Sequence, residues 1–469
     1  MKSNVQLHSW LTTPMDEVAS QTPVADDQRA ASLTEGLNKR GVRAVRGTYV
    51  DSSGVLRAKQ VPVERLGAFN RSGLGASNSW AVFGADDLLC MTPRFSAVGD
   101  MRLRADLDVV VDLGDGVAWT PLSLVDQEGV PLEYCPRAVL RRQIHESSVA
   151  GLSIVAATEV EFTMYDAERK PLGGAAYGWT RLSSYEQFVD SLSRALDFVG
   201  VPLEQIHAEY GPGQFELSVA PVTPLAAADL NVLVRVMISR VARACGFQAS
   251  FSPKPFADAI GNGAHSHLSF HREGRPLLSG GDGPHGLTRE GESILAAYVR
   301  YLPEMAGVLA SSVLSSMRLQ PSTWSGAYAC WGLENREAAV RLCAATPGNP
   351  YGANVEVKCV DPAANIYAAY AALVGVARRS LEVSEELGPE TTVDPANLSA
   401  EERDARGIHL VGAQHTEVLE RFAGSQAMRE VLGEALVETI LAVRRHEADL
   451  VEANGIAAVA EQLAFAWSA

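Results

Sequence analysis

Apolar positions recur with two periods along this chain. Short runs alternate apolar and polar residues, and longer runs repeat near every 3.6 residues. VRAVRGTYV and VLRAKQVPV, within Arg43–Val63, are strand-like and flank Asp51-Ser52-Ser53-Gly54, whose residues suit a tight turn. A hairpin is expected there. Asp106–Leu113 (DLDVVVDL) predicts another strand, followed by a proline-rich stretch over Pro121–Pro136 and a helix over Arg137–Ser147. Beyond it, strands are expected over Ser153–Tyr165, Ile206–Val219, Ala264–Phe270, Ala338–Cys343 and Asn354–Val360. Helices are expected over Tyr185–Val199, Pro224–Ala244, Thr288–Leu309, Ala363–Leu381 and His415–Ala453. Strands and helices are mixed rather than regularly wound, which predicts an α+β fold: a small β-rich N-terminal domain (30–134), then a large sheet backed by helices (135–469). Prolines and acids scattered through residues 1–29 predict a flexible leader.

The 469 residues are 47% hydrophobic and 20% charged, enough for one large and one small domain. A net charge of −16 argues against a nucleic-acid partner and against an anionic membrane surface. No apolar run is long enough to span a bilayer, and no basic-then-apolar leader marks secretion. The expectation is a cytoplasmic protein. The six cysteines show no CxxC spacing and read as reduced thiols.

The chemistry concentrates on the predicted strands. Glu159 and Glu161 lie two apart in TEVEF and share one strand face. Paired carboxylates on an apolar strand require a cation or a proton, unless the strand simply shows acids to solvent. In HAEYGPGQFE, a Gly-Pro-Gly bend could bring Glu209 to Glu216. In GNGAHSH, a glycine-rich loop enters a strand on which His265 and His267 point the same way. Asn354–Lys358 adds Glu356 and Lys358 on one face, and Arg318, Arg336 and Arg341 supply further cations. Oxygen-rich clusters with an occasional imidazole suit magnesium or manganese. Acids that hold metals, metals that hold polyphosphate, and arginines that neutralise a transferred group make a phosphoryl-transfer site; the chain has no GxxxxGK[ST] loop.

EVEF, HAEYGPGQFE, GNGAHSH, Asn335-Arg336 followed by Arg341, and EVKCVDPAANIY stand in the order found in the type I glutamine synthetase superfamily, which the chain resembles. The resemblance implies an N-terminal β-grasp domain and a catalytic domain with a curved antiparallel sheet. It implies ATP and two or three magnesium or manganese ions per site. By motif position, Glu161, Glu209 and Glu216 would hold one metal, and Glu159, His265 and Glu356 a second. Gly261 and Arg318 would bind glutamate. Arg336, Arg341 and Lys358 would surround the transferred phosphate, with lysine at 358 where the family carries arginine. His267 and Ser269 would lie near the nucleotide. Glutamate would be phosphorylated on its side chain and then attacked by an amine.

Two positions depart from the family. The family binds ammonium with an aspartate of a neighbouring subunit's N-terminal domain and a flap glutamate. Gly75 and Trp324 stand at those motif positions here. Loss of both acids, with gain of an apolar wall, predicts an organic amine: an alkylamine, an arylamine such as aniline, or ethanolamine. A polyamine ranks below these, because a dication wants acids in its pocket. The chain thus resembles the γ-glutamylamide synthetases. Genuine glutamine synthesis and a non-catalytic sensor or scaffold are the alternatives; an activity assay with ammonium and amines separates the first, and decay of the metal residues would have marked the second. Adenylylation is not expected, because Ser399 replaces the tyrosine of an Asn-Leu-Tyr motif. The resemblance further implies a homododecamer of two stacked hexamers, with active sites between subunits.

Overall fold

The hairpin forms where the turn chemistry places it. In the computed structural model, which describes residues 23–469 except 172, 257 and 413, β1 (Ala44–Val50) and β2 (Leu56–Pro62) pair antiparallel with Val50 opposite Leu56. Asp51 fixes the turn by accepting the backbone N–H of Ser53 (2.9 Å) and of Val55 (3.0 Å). With β3 (Leu74–Ser77), β4 (Asp100–Ala105), β5 (Val111–Asp112) and β6 (Val117–Val125) these strands build a sheet of order β2-β1-β6-β4-β3, with β5 on β6. β1 and β6 run parallel. The strand expected over Asp106–Leu113 is confined to its end, β5. Asp106 instead accepts the Asp108 amide (2.9 Å) and the guanidinium of Arg137 (2.7 Å), so its segment turns away from the sheet.

The helix Pro23–Lys39 packs over this sheet through Ala30 and Leu37. Its first turns cover the end of the expected leader, while residues 1–22 lie outside the described part of the chain.

The second sheet comprises β7 (Leu152–Tyr165), β8 (Leu203–Ala208), β9 (Gln214–Val219), β10 (Gln248–Ser250), β11 (Ser266–Arg272), β12 (Arg275–Pro276), β13 (Tyr328–Leu333), β14 (Ala338–Cys343), β15 (Asn354–Val357) and β16 (His409–Leu410). Its order is β16-β13-β14-β15-β11-β7-β9-β8. Every pairing is antiparallel, as expected, except β13 with β14, which run parallel and make the sheet mixed at that point. The helices Pro136–Val149, Pro224–Ala244, Arg289–Leu309 and Ile366–Val383 back it. Pro224 follows an extended Thr223 at a helix start, where its missing N–H costs nothing. Asn365 caps the helix Ile366–Val383 by accepting the Ala368 amide (3.1 Å).

The single run expected over His415–Ala453 is three helices: His415–Gly424, Gln426–Leu432 and Glu434–Asn454. Ser425 stops the first and caps the second through the Met428 amide (3.1 Å). Gly433, at φ 88°, separates the second from the third. The third helix reaches back into the N-terminal core with Ala435 and Val443. No helix among the described residues is long and apolar enough to cross a membrane.

Candidate active site

Strand register gathers the functional residues into two rows. Glu161 on β7 lies opposite Glu216 on β9, which lies opposite His207 on β8. On the other side, His267 on β11 lies opposite Glu356 on β15, which lies opposite Arg341 on β14. Side chains two apart share a face, so Glu159 joins Glu161 above the same cavity, of about 650 Å³. The glycine-rich loop drapes across β7: Glu159 and Glu161 donate their amides to the carbonyls of His265 (3.0 Å) and Gly263 (3.1 Å). This brings His265 Nδ1 to 2.8 Å from Glu159 Oε2.

Three groups of ligand atoms converge within 4.8 Å of one another: Glu159, His265 and Glu356; Glu161, Glu216 and His265; and His207, Glu209 and Glu216. The first is the set expected from motif position. The second expected set divides. Glu161 and Glu216 come together, whereas Glu209 groups with Glu216 and His207 instead. Glu209 sits beyond the end of β8, where its Oε2 accepts the Tyr177 hydroxyl (2.9 Å) and the Tyr210 amide (2.5 Å).

The electrostatics fit a bound divalent cation. Burial and the charges of Glu159, Glu161, Glu209 and Glu356 push Glu216 up to about 10, so the cluster holds a proton when no cation is bound. Glu356 stays ionised: against burial, Lys358, His267 and His265 hold it at about 2. The donors are carboxylate oxygens with imidazole nitrogen and no thiolate, the chemistry that magnesium or manganese takes.

Cations line the same cavity. Arg341 donates to Glu356 Oε2 (2.9 Å) and to Glu334 Oε2 (2.5 Å). Lys358 is buried but lines the cavity, with Nζ 3.1 Å from Glu356 Oε1. Arg318 donates to the carbonyls of Cys359 and Lys358, both at 3.1 Å, and its Nη2 lies 3.3 Å from His265 Nε2. Gly261 permits this packing. A Cβ there would sit 2.1 Å from the Pro253 carbonyl and 2.9 Å from Arg318 Cγ. Arg336 is exposed and stands with its guanidinium 6.0 Å from the ring centre of Trp324.

Trp324 lines the cavity and is 53% exposed, so it is not a packed core residue. Gly75 does not line the cavity; it sits on β3, where Lys59 donates to its carbonyl. Ser269 bonds the Ala353 carbonyl (2.8 Å), and His267 pairs with Asn354 (2.9 Å) and approaches Glu159 to 3.3 Å; neither lines the cavity.

Four contributors were not assigned a role from sequence. Gln214 donates to Glu161 Oε2 (2.9 Å) and to the Gly261 carbonyl (3.0 Å), clamping a carboxylate of the cluster to the glycine-rich loop. It lies two residues before Glu216, so strand alternation was a usable signal. His207 lies in a quoted motif, and the register now gives it a place. Lys254 lines the cavity from the Pro253–Pro255 bend. Tyr177 stacks on His207 at 6.0 Å and comes from a loop with no strand or helix signal.

Residues 133–457 match the profile of the glutamine synthetase catalytic domain. The chain belongs to the glutamine synthetase family. Among similar glutamine synthetase family proteins, a gamma-glutamylpolyamine synthetase of Streptomyces coelicolor is 39% identical over 445 residues, covering 92% of this chain and 96% of its own length. A glutamine synthetase of Methanosarcina mazei is 27% identical over 429 residues, covering 89% and 93%. The crystal structure of a novel glutamine synthase homolog superposes with a TM-score of 0.81 at 30% identity, covering 90% of this chain and 98% of that one. A GmaS/ADP complex shares the fold with a TM-score of 0.79 at 23% identity, covering 90% of this chain and 96% of that one. As a glutamine synthetase family member, the chain is an ATP-dependent ligase that uses a divalent metal.

Proposed function

We propose that this ligase joins an organic amine to the side-chain carboxylate of L-glutamate through γ-glutamyl phosphate. The observation that carries the reading is Trp324, half-exposed in the cavity at the motif position of the family's ammonium-binding glutamate. A carboxylate is a poor electrophile with a poor leaving group, so phosphorylation must precede attack. Gly261 and Arg318 would hold glutamate, as the family resemblance implies. Arg336, Arg341 and Lys358 supply the positive wall that charge developing on the transferred phosphoryl group requires. Glu159, His265 and Glu356 would hold one magnesium or manganese ion, and Glu161 and Glu216, with Glu209 or His207, a second; the ions would supply charge neutralisation for the ATP phosphates. Trp324 then offers an apolar face to the amine's substituent.

A polyamine is the second reading, favoured by the activity named for the Streptomyces relative. The cavity offers it Glu209 and the aromatic faces of Tyr177, Tyr210 and Trp324. This strengthens the polyamine beyond its sequence-based rank. Phosphate release from ATP, measured with glutamate and magnesium across ammonium, methylamine, isopropylamine, ethanolamine, aniline, putrescine and spermine, separates the readings. Strong release with an organic amine and little with ammonium is expected. Ammonium as the preferred substrate overturns the reading from Trp324. A homododecamer of two stacked hexamers is part of the proposal, because Gly75 would reach the pocket only from a neighbouring copy; light scattering of the pure protein tests it.

A further inference from the structure

The loop that carries Trp324 does not adopt a relaxed backbone. Ser322 and Trp324 both lie at φ 57°, and Gly326 at φ 72°, so alternate residues are left-handed. A non-glycine residue holds that conformation only where its surroundings enforce it. Part of the enforcement is internal. Thr323 Oγ1 donates to the Gln320 carbonyl (2.6 Å) and lies 2.9 Å from Ser325 Oγ, which also bonds that carbonyl (3.2 Å). The far end is pressed on the catalytic wall: a Cβ on Gly326 would come within 2.6 Å of Lys358 Cβ.

Two further anchors lie outside the loop: Asp394 Oδ2 accepts the Ser322 hydroxyl (3.3 Å), and the Trp324 backbone is held by Glu337. Glu337 is only 5% exposed, and its Oε1 accepts the Trp324 backbone amide at 2.8 Å. Burial pushes its carboxyl up, against the pull of the Trp324 and Ser322 amides. The preceding residue, Arg336, stands with its guanidinium over the indole ring, 6.0 Å from its centre. Two successive residues therefore grip Trp324, one by its backbone and one by its ring.

We propose that Glu337 is a positioning residue for amine selection, holding the 320–326 loop in its left-handed geometry so that Trp324 stands in the amine pocket. The proposal rests on the reading that Trp324 meets the amine. Glu337 touches no substrate in this account; it acts through the loop.

The test compares Glu337→Ala, Glu337→Gln and Trp324→Ala in the full-length enzyme, with KM measured separately for the preferred amine, glutamate and ATP. Glu337→Ala is expected to raise the amine KM about tenfold or more and to narrow the preference over ammonium, leaving the ATP KM within about twofold. Glu337→Gln retains an acceptor oxygen and should stay close to wild type. The double variant Glu337→Ala/Trp324→Ala should be no worse for the amine than Trp324→Ala alone, because both changes remove one device. An unchanged amine KM in Glu337→Ala, beside a raised one in Trp324→Ala, overturns the positioning role and leaves the amine pocket standing. An unchanged amine KM in both overturns the pocket itself. An equal rise in all three KM values identifies Glu337 as merely structural.

Discussion

At the scale of single residues, the acidic cluster makes a prediction about protons. Glu216 is pushed up to about 10 by burial and by four neighbouring carboxylates. The group is thus protonated at pH 8 when no metal is present. Because its folded value is raised, its ionisation works against the fold, and the metal-free protein should lose stability as pH climbs toward 10. Divalent metal reverses the preference by favouring the carboxylate. Magnesium or manganese binding at pH 8 should therefore release about one proton per site, measurable by calorimetry in buffers of different ionisation enthalpy. Release should fade above pH 10, and Glu216→Gln should abolish it together with tight metal binding. Zero release at pH 8 would contradict the crowding. Trp324 makes the second prediction at this scale. Trp324→Glu returns an acid to the position where family members carry one, and should raise kcat/KM for ammonium about tenfold while lowering it for the preferred amine.

The same scale shows what the sequence could reveal. Glu216 was expected from the Gly-Pro-Gly bend, and His265 proves to lie on the glycine-rich loop just before β11; Glu159, Glu161 and Glu356 were legible because strand alternation fixes which side chains share a face, and β7 and β15 obey it. Gln214 was legible by the same rule and was passed over. Tyr177 and Glu337 were not legible. Tyr177 reaches Glu209 across 32 residues from an irregular loop, and Glu337 matters through one backbone amide on a loop whose left-handed φ values no side-chain pattern announces.

At the scale of elements, most boundaries follow from local chemistry, and the exceptions have tertiary causes. The hairpin and the helix Pro224–Ala244 lie where their turn residues and Pro224 put them. Asp106 leaves the expected strand because Arg137 claims it. Arg137, on the helix Pro136–Val149, is fully buried and forks onto Asp229 at 3.0 and 2.7 Å while a third nitrogen reaches Asp106 at 2.7 Å. Tyr367 adds a hydrogen bond to Asp229 (2.7 Å). Against burial, Arg137 and Arg141 hold Asp106 well below the usual carboxylate range. Its contribution to stability is present above that range and is lost as pH falls toward the depressed value. Arg137→Met strands the buried carboxylate of Asp229 beside the Tyr367 hydroxyl and leaves Asp106 with Arg141 as its cation, and should cost about 3–5 kcal/mol near pH 7. The deficit should shrink below pH ~4, where the stabilising ionisation of Asp106 is itself being lost from the wild type. Arg137→Lys should cost less, keeping the charge but losing the fork. A deficit independent of pH in denaturant titrations would mean that lost packing, not stranded charge, sets the cost.

At the scale of the whole molecule, two domains were expected with a boundary near residue 134; the strands form two sheets, β1–β6 and β7–β16. Their union was not legible, because it depends on backbone groups that any sequence presents. The hairpin turn 51–54 is driven into the catalytic part of the chain. Asn365 donates to the carbonyls of Val50 (2.9 Å) and Asp51 (3.0 Å), and Ser52 bonds Thr439 (2.8 Å). The Ser53 carbonyl accepts both Arg444 (3.1 Å) and the Trp467 indole (2.8 Å). Gly54, at φ 82°, is the residue that lets the turn enter: a Cβ there would stand 2.2 Å from the Ala363 carbonyl. These contacts are buried and polar, so parting the sheets would leave several backbone groups without partners. The expected outcome is one cooperative transition for both sheets, with far-ultraviolet circular dichroism and tryptophan fluorescence melting together. Gly54→Ala combines a clash with a left-handed backbone and should lower the melting temperature of the whole molecule, shifting both probes by the same amount. Two resolved transitions in the wild type, or a Gly54→Ala change seen by one probe only, would show that the small sheet folds independently. One transition would mean that the geometry of Lys358 and Glu356, a few residues before Ala363, depends on a turn whose strands lie in the other sheet.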